Sequence, residues 1–442
     1  MKVCLVFPRF RYVTGDPPLG LAYIAAYIRQ KADVFIIDTT FHPSLNLVRD
    51  NLKRIKPEIV GIYSDTIMYN DAVKVAGIAR EQGSVVVMGG PHASVMPETF
   101  LGIANIVVAG EGEIAMWKIV KDYPSLKLNH TSHIWHGFIY PQLDYLTPPA
   151  RDLLPMKRYI DNWYYLDSVS TSLRGTNLVA SRGCSFQCTF CQPGLRKIFG
   201  ERVRERTPEN VIDEIEQLIS EYNIESIFFH DDTFTLRRKW VFKLCDLMEK
   251  RTPKLLWACN TRADTIDEEL MVRMRQAGLR CIHLGIESGS QRILDKVYHK
   301  GITLQQVRKV CDMARKYRVS VLGFFMLGAP GEKVEEAEGT IRLARSLPIQ
   351  EATFSITCPL PGTQLYDNML QEHRLSGDFS DYNYYSRRPF DDGVLNFRKL
   401  KRLQKKALLT FYLHPRRWGY IFKHLSSPSG IRKVVTKVRR FL

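Results

Sequence analysis

Hydrophobic and polar positions along this chain alternate between two periods. Short, nearly unbroken apolar runs at residues 2–7, 33–38, 59–64, 84–88 and 105–108 predict strands, several bounded by turn residues. Between them, residues 19–30 and 71–82 carry helical spacing, with Ala72, Val75, Ala76 and Ala79 on one face of the second. Strands that are apolar on both faces and alternate with helices predict a doubly wound parallel sheet over residues 1–128. Such sheets bind ligands at the carboxyl ends of their strands. The loops there are Ser64-Asp65-Thr66, Gly89-Gly90-Pro91-His92 and Gly110-Glu111-Gly112-Glu113. They are not a dinucleotide fingerprint, because Gly-x-Gly-x-x-Gly does not follow the first strand.

A second alternation fills residues 176–375. Thr207-Pro208 caps a helix that places Val211, Ile212, Ile215, Leu218 and Ile219 on one face. Strands at 226–229, 255–259, 280–285, 320–326 and 352–357 then alternate with helices at 237–250, 267–277, 304–317 and 334–346. With the apolar run Leu178-Val179-Ala180 in front, six strand–helix repeats of about 30 residues predict a parallel barrel too short to close eightfold. Residues 129–175 hold neither period. Pro141, Pro148, Pro149 and Pro155 interrupt them, while Tyr159, Trp163, Tyr164 and Tyr165 make a disordered linker implausible. A connector packed between domains is expected, with a cavity-lining role for its aromatics as the alternative.

At 442 residues, with 45% hydrophobic and 25% charged, the composition is that of a globular protein. Nine cysteines and no secretory h-region at the start predict a reducing, cytoplasmic compartment. Most of the net charge of +17 is concentrated at the end of a tail, residues 376–442. No Asp or Glu occurs from Gly393 to Leu442, where fourteen Lys and Arg stand between Arg398 and Arg440. Residues 397–413 and 431–442 repeat a basic, apolar helical pattern there. It predicts either peripheral contact with the inner membrane face or a lid on the barrel with a solvated basic face. Nucleic acid is not expected, for want of a recognised binding fold.

The candidate chemistry centres on Cys184, Cys188 and Cys191, at spacings of four and three, with the next cysteine at Cys245. Three thiolates on one tight loop suit three irons of a cubane cluster and leave the fourth open. The competing reading is three unrelated buried thiols. Each following strand end adds a polar group. Asp231 and Asp232 suit an ammonium or cation, or cap a helix. Arg262 suits a carboxylate, Glu287 and Ser288 a ribose diol, and the Gly328-Ala329-Pro330-Gly331 turn a planar base. His230, Cys259, Cys281, His283 and Cys311 read as core.

The cysteine pattern, with Phe190 before its last member and one group per strand end, resembles the radical S-adenosylmethionine (SAM) enzymes. The branch it is most similar to contains cobalamin-dependent methyltransferases and the anaerobic magnesium-protoporphyrin monomethyl ester cyclase. Pro17-Pro18-Leu19-Gly20, Gly89-Gly90-Pro91-His92 and Gly110-Glu111-Gly112-Glu113 resemble the cobalamin-binding domain of that branch. The resemblance implies a 4Fe–4S cluster on Cys184, Cys188 and Cys191. It implies SAM on Phe190, Asp231, Asp232, Arg262, Glu287, Ser288 and Gly328, with the aspartates in place of the usual Gly-Gly-Glu. For cobalamin it implies Ser64, Thr66, Gly89, Gly90, His92, Glu111 and Gly112, although His92 reads first as part of a turn. Asp-x-His-x-x-Gly, which supplies a lower cobalt ligand elsewhere, is absent.

The activity implied is reductive cleavage of SAM to a 5′-deoxyadenosyl radical, followed by methyl transfer from cobalamin to an unactivated carbon of a small or lipid-like molecule. A reductant such as flavodoxin or ferredoxin is implied with it. A radical cyclase, rearrangement or carbon–carbon coupling enzyme is the alternative within this chemistry, and an iron–sulfur carrier or sensor the non-enzymatic one.

Overall fold

The computed structural model describes residues 1–10, 16–123, 132–191, 195–375, 378–382, 390, 393–425 and 430–431. Two parallel sheets organise it. The first contains β1 (Lys2–Phe7), β2 (Asp33–Asp38), β3 (Ile59–Tyr63), β4 (Val85–Gly89), β5 (Ile106–Ala109) and β6 (His133–His136), in the order β2-β1-β3-β4-β5-β6. Parallel pairing in register, such as Val6 with Ile37 and Ile62, buries the central strands on both faces. One core lies on each side of the sheet, one built around Cys4, Val60 and Met88, the other around Leu5, Ile59 and Val87. The chain crosses between the two sides at β1 and β3, the position where doubly wound sheets open a crevice.

β6 lies in the segment whose sequence predicts a connector. His133, Ile134 and His136 are exposed, Trp135 is half-buried, and the strand pairs on one side only, with β5. A four-residue edge strand with most of its side chains in water needs no apolar run, so its pattern is silent. The helix Leu45–Ile55 is likewise unanticipated.

The second sheet contains β7 (Gly175–Leu178). The short pair β8 (Ser181–Arg182) and β9 (Arg204–Glu205) stands apart from it and is antiparallel. β10 (Ser226–Phe229), β11 (Leu256–Thr261), β12 (Leu279–Glu287), β13 (Ser320–Leu327) and β14 (Glu351–Ile356) complete the second sheet in the order β14-β13-β12-β11-β10-β7. Six parallel strands in sequential order, each followed by a helix outside, form an open barrel whose strands all end on one rim. The outer face carries the largest core of the molecule. The connector plugs the inner face: Trp163 and Leu166 pack on Phe228, Ala258 and Cys281. A Cβ on Gly175 would stand 2.5 Å from the Trp163 ring, so the plug requires glycine there.

The tail helix Phe397–Tyr412 spends its apolar face on the barrel. Leu400, Leu403, Ala407 and Phe411 are buried in the outer core, and Gln404 donates to the Phe354 carbonyl at 2.7 Å. Here the lid reading holds. The second basic pattern, 431–442, lies outside the described residues apart from Ile431. Among the described residues no helix is long and apolar enough to cross a membrane.

Candidate active site

Two rims face each other, and the site lies between them. β8 and β9 close the base of the cysteine loop by pairing Ser181 with Glu205 and Arg182 with Arg204. Beyond that clamp Gly183 takes φ +96°, turning the chain into the loop that carries Cys184, Cys188 and Cys191. None of the three is in a disulfide. Cys188 Sγ accepts from Arg262 Nη1 at 3.4 Å, and Cys184 Sγ lies 3.7 Å from Thr233 Oγ1. Cys191 is solvent-accessible, but from a recess rather than open surface: burial, with Cys188, Asp232 and Cys184 nearby and Lys300 opposing, pushes its thiol up to about 12. Among the described residues no three His, Cys, Asp or Glu side chains converge at the spacing of a single metal ion. Thiolates that ligate separate irons of a cubane need no common point.

The strand-end groups gather on the same rim. Asp231 is buried and fully engaged, accepting from Ala180 N at 3.2 Å and Ser181 Oγ at 2.5 Å. Asp232 lines the cavity instead, and burial beside the Asp231 carboxylate pushes it up to about 7. Arg262 is held bidentately by Asp264, at 2.9 Å for both contacts, and lies 3.5 Å over the Phe186 ring. Glu287 ends β12 with φ +65° and accepts from Lys300 Nζ at 2.8 Å. Burial works against the Lys300 ammonium, but Glu287 and the Cys188 thiolate more than offset it, so it titrates above the ordinary lysine range. Ser288 is buried against Thr340, with 3.3 Å between hydroxyls, and accepts from the Ser290 N–H. Gly328 takes φ +83° and donates to Glu332 Oε2 at 2.5 Å. Phe190 packs on Tyr298, with ring centres 4.7 Å apart.

Across from this rim, a cavity of about 480 Å³ opens at the carboxyl ends of β3, β4 and β5. Gly61, Gly89, Gly90, Gly110 and Gly112 line it with bare backbone, and Arg182, His230 and Asp232 close its far wall. At Gly89 a Cβ would meet nothing within 4 Å, so open space stands before the backbone. A backbone-walled cavity of this size facing a second site fits a large planar cofactor pressed against the sheet end. His230, expected in the core, is exposed into this cavity, because β10 ends one residue earlier at Phe229.

Of the residues expected at cobalamin, Gly89, Gly90, Glu111 and Gly112 reach the cavity wall. Ser64, Thr66 and His92 form a buried group behind it. His92 Nδ1 lies 3.0 Å from Thr66 Oγ1 and Nε2 3.3 Å from Thr99 Oγ1, with Tyr69, Phe100 and Phe379 packed around the ring. Burial pushes His92 down to about 4, so the imidazole is neutral and internally satisfied. Glu111 spends both carboxylate oxygens on Arg182, Arg204 and the Tyr140 N–H. The buried cations Arg182, Arg204 and Lys300 were not singled out from the sequence, since their partners lie 13 to 93 residues away.

The chain matches the family model for the radical SAM superfamily over residues 178–344 and that for the B12 binding domain over residues 13–120. It is 33% identical to an uncharacterized methyltransferase of Pyrococcus horikoshii, covering 94% of this chain and 93% of that protein. It is 28% identical to the anaerobic magnesium-protoporphyrin IX monomethyl ester cyclase of Rubrivivax gelatinosus, covering 87% and 72%. Among solved structures, the cobalamin-dependent SAM radical enzyme OxsB, with aqua-cobalamin and SAM bound, superposes with a TM-score of 0.72 at 17% identity. That match covers 99% of this chain and 72% of OxsB, and at this identity it speaks for the fold.

Proposed function

Because the chain belongs to the radical SAM superfamily and carries a B12-binding domain before its barrel, we propose that it is a cobalamin-dependent methyltransferase acting at an unactivated carbon of a small or lipid-like molecule. The observation that carries this reading is the shared cavity: the glycine rim of the first sheet and Asp232, beside the cysteine loop, line the same space. When bound, a 4Fe–4S cluster with SAM supplies a 5′-deoxyadenosyl radical, and cobalamin supplies a transferable methyl group.

The residues divide that work. Cys184, Cys188 and Cys191 hold the cluster. Asp232 accepts the SAM ammonium, with Asp231 fixing the turn behind it through Ala180 and Ser181. Arg262 meets the SAM carboxylate, already oriented by Asp264. Glu287 holds the ribose, Ser288 steadies its loop through Thr340, and Phe190 with the Gly328 turn flanks the base. Gly89, Gly90 and Gly112 let cobalamin approach the backbone, while Glu111 anchors Arg182 and Arg204 at the wall. His92 is held by Thr66 and Thr99 behind the cavity wall and would support the loop rather than hold the cofactor. A low-potential flavodoxin or ferredoxin supplies the electron. Peripheral membrane contact falls to the helix Trp418–Leu425, which exposes Trp418, Phe422 and Leu425 beside the basic tail. Vesicle co-sedimentation of a Trp418→Ser/Phe422→Ser variant tests it, and unchanged association would sink it.

Anaerobic reconstitution with iron, sulfide and cobalamin, followed by dithionite and methyl-labelled SAM in an extract of the source organism, tests the main reading. 5′-Deoxyadenosine together with label in a product supports it. 5′-Deoxyadenosine with no methyl transfer points to cyclase or rearrangement chemistry, and none at all to a carrier.

A further inference from the structure

Lys300 is 7% exposed, charged, and unused by the division of work above. It follows β12 by thirteen residues, yet its ammonium returns to Glu287 at the end of that strand, 2.8 Å from Oε1. The return is tightly specified. A Cβ on Gly285 would stand 2.7 Å from Lys300 Nζ and 2.6 Å from Glu287 Oε1, so the pair occupies the room a glycine leaves. Glu287 is held at φ +65°, a conformation costly for a residue with a Cβ and kept where the surroundings demand it.

The same segment is fastened to the cysteine loop between two of the cysteines. Thr189, following Cys188, donates its N–H to the Tyr298 carbonyl at 3.0 Å and its hydroxyl to the Val297 carbonyl at 2.6 Å. The Lys300 carbonyl in turn accepts from Arg262 Nη2 at 2.5 Å, and Arg262 Nη1 donates to Cys188 Sγ at 3.4 Å. Lys300 Nζ lies 5.8 Å from the centre of the Phe190 ring, next to Cys191. Arg262 thus links a cysteine sulfur to the Lys300 backbone, and the Lys300 ammonium stands near the ring that precedes Cys191.

We propose that Lys300, seated by Glu287 over Gly285, sets the reduction potential of the cluster held by Cys184, Cys188 and Cys191. Reduction adds one electron, from a low-potential protein donor, to a centre already bearing thiolate charge. A fixed cation nearby stabilises the reduced state more than the oxidised one and raises the potential. Glu287 opposes that charge in part and fixes its position. Lys300 acts on the cluster through its field and is a positioning charge, not a ligand.

The inference rests on the three cysteines holding a cluster, and the measurement separates the two. Iron and sulfide content and the visible spectrum of the reconstituted full-length protein report cluster loading. An EPR-monitored redox titration without SAM reports the potential. With clusters loaded, Lys300→Met shifts the midpoint to lower potential, Lys300→Arg restores it towards wild type, and Glu287→Gln shifts it higher. Equal midpoints for wild type and Lys300→Met would overturn the proposal. If Lys300→Met holds no cluster, Glu287→Gln decides: a midpoint unchanged or lowered in that variant also overturns it. Failure of the wild type to load any cluster refutes the cysteine assignment instead.

Discussion

Arg182 Nη2 and Glu113 Oε1 stand 2.6 Å apart, with both side chains more than nine-tenths buried. Arg182 belongs to the clamp at the base of the cysteine loop, and Glu113 to the first turn of the helix after β5. Glu111 completes the arrangement at 2.9 Å from Arg182 Nη1 and 2.8 Å from Arg204 Nη2. The cysteine loop and the wall of the glycine cavity are thus tied into one unit. Arg182→Met leaves two carboxylates buried without their shared cation, a loss on the order of 3–5 kcal/mol. Urea denaturation should show that loss, and the reconstituted variant should retain less cobalamin. Arg182→Lys recovers part of it, because one ammonium cannot reproduce the two-pronged contact. A variant as stable as wild type would show the clamp to be dispensable.

Gly89 offers a way to block one cofactor without harming the fold. Its backbone does not need a positive φ, and a Cβ meets nothing within 4 Å. Gly89→Leu should therefore change stability by no more than about 1 kcal/mol while filling the cavity. Optical spectra after cobalamin loading should show the cofactor lost and the iron content kept. Normal cobalamin content in this variant would place the cofactor elsewhere.

Asp232 makes a pH-dependent contribution whose sign is fixed by the direction of its shift. Its carboxyl keeps its proton to about 7 in the fold, against 3.8 for an ordinary aspartate. Between those values the folded state binds more protons than the unfolded one, so stability falls as pH rises from about 4 to about 7. The upper bound is about 4 kcal/mol. Asp232→Asn should flatten this slope and be the more stable protein above pH 7, as read by urea denaturation of cluster-free protein across that range. In the loaded enzyme, SAM affinity should rise through about pH 7 for wild type and stay flat for Asp232→Asn. Parallel slopes for the two proteins would count against both statements.

The tail helix is structural to the barrel. Phe411 is 1% exposed and packs against Phe354 of β14, with ring centres 6.3 Å apart. Phe411→Ala should cost about 3–5 kcal/mol by leaving a cavity in the outer core. Thermal or urea unfolding checks this. A cost below about 1 kcal/mol would mean that the helix rests on the barrel without supporting it.

What was readable in the chain follows the range of each interaction. Cys184, Cys188 and Cys191 stood out because the three share one loop, so their spacing is local. The alternation of strands and helices was legible because both faces of each parallel sheet are buried, which imposes unbroken apolar runs. The edge strand β6 lacked that constraint and left no signal. Asp231 and Asp232 looked equivalent as neighbours, until the β7–β10 pairing turned one towards Ala180 and Ser181 and the other into the cavity. His92, at a strand end, read first as part of a glycine turn, with cofactor contact implied only by the resemblance. The short helix that Pro91 begins carries its ring inward to Thr66, Thr99 and three aromatics.

By itself the sequence determined the order of the two parallel sheets, the place of the cysteine loop between them, and the one-per-strand-end series of polar groups. Each depends on periodicity or spacing over a few residues. Tertiary structure alone decided which of those groups are free to meet a ligand and which are spent on the protein. Glu111, His92 and Ser288 acquire partners from other elements, while Lys300 and Arg182 become charges facing the cysteine loop or clamping it. A buried charge or imidazole must find a partner, and the partner's identity depends on how the two sheets are packed together.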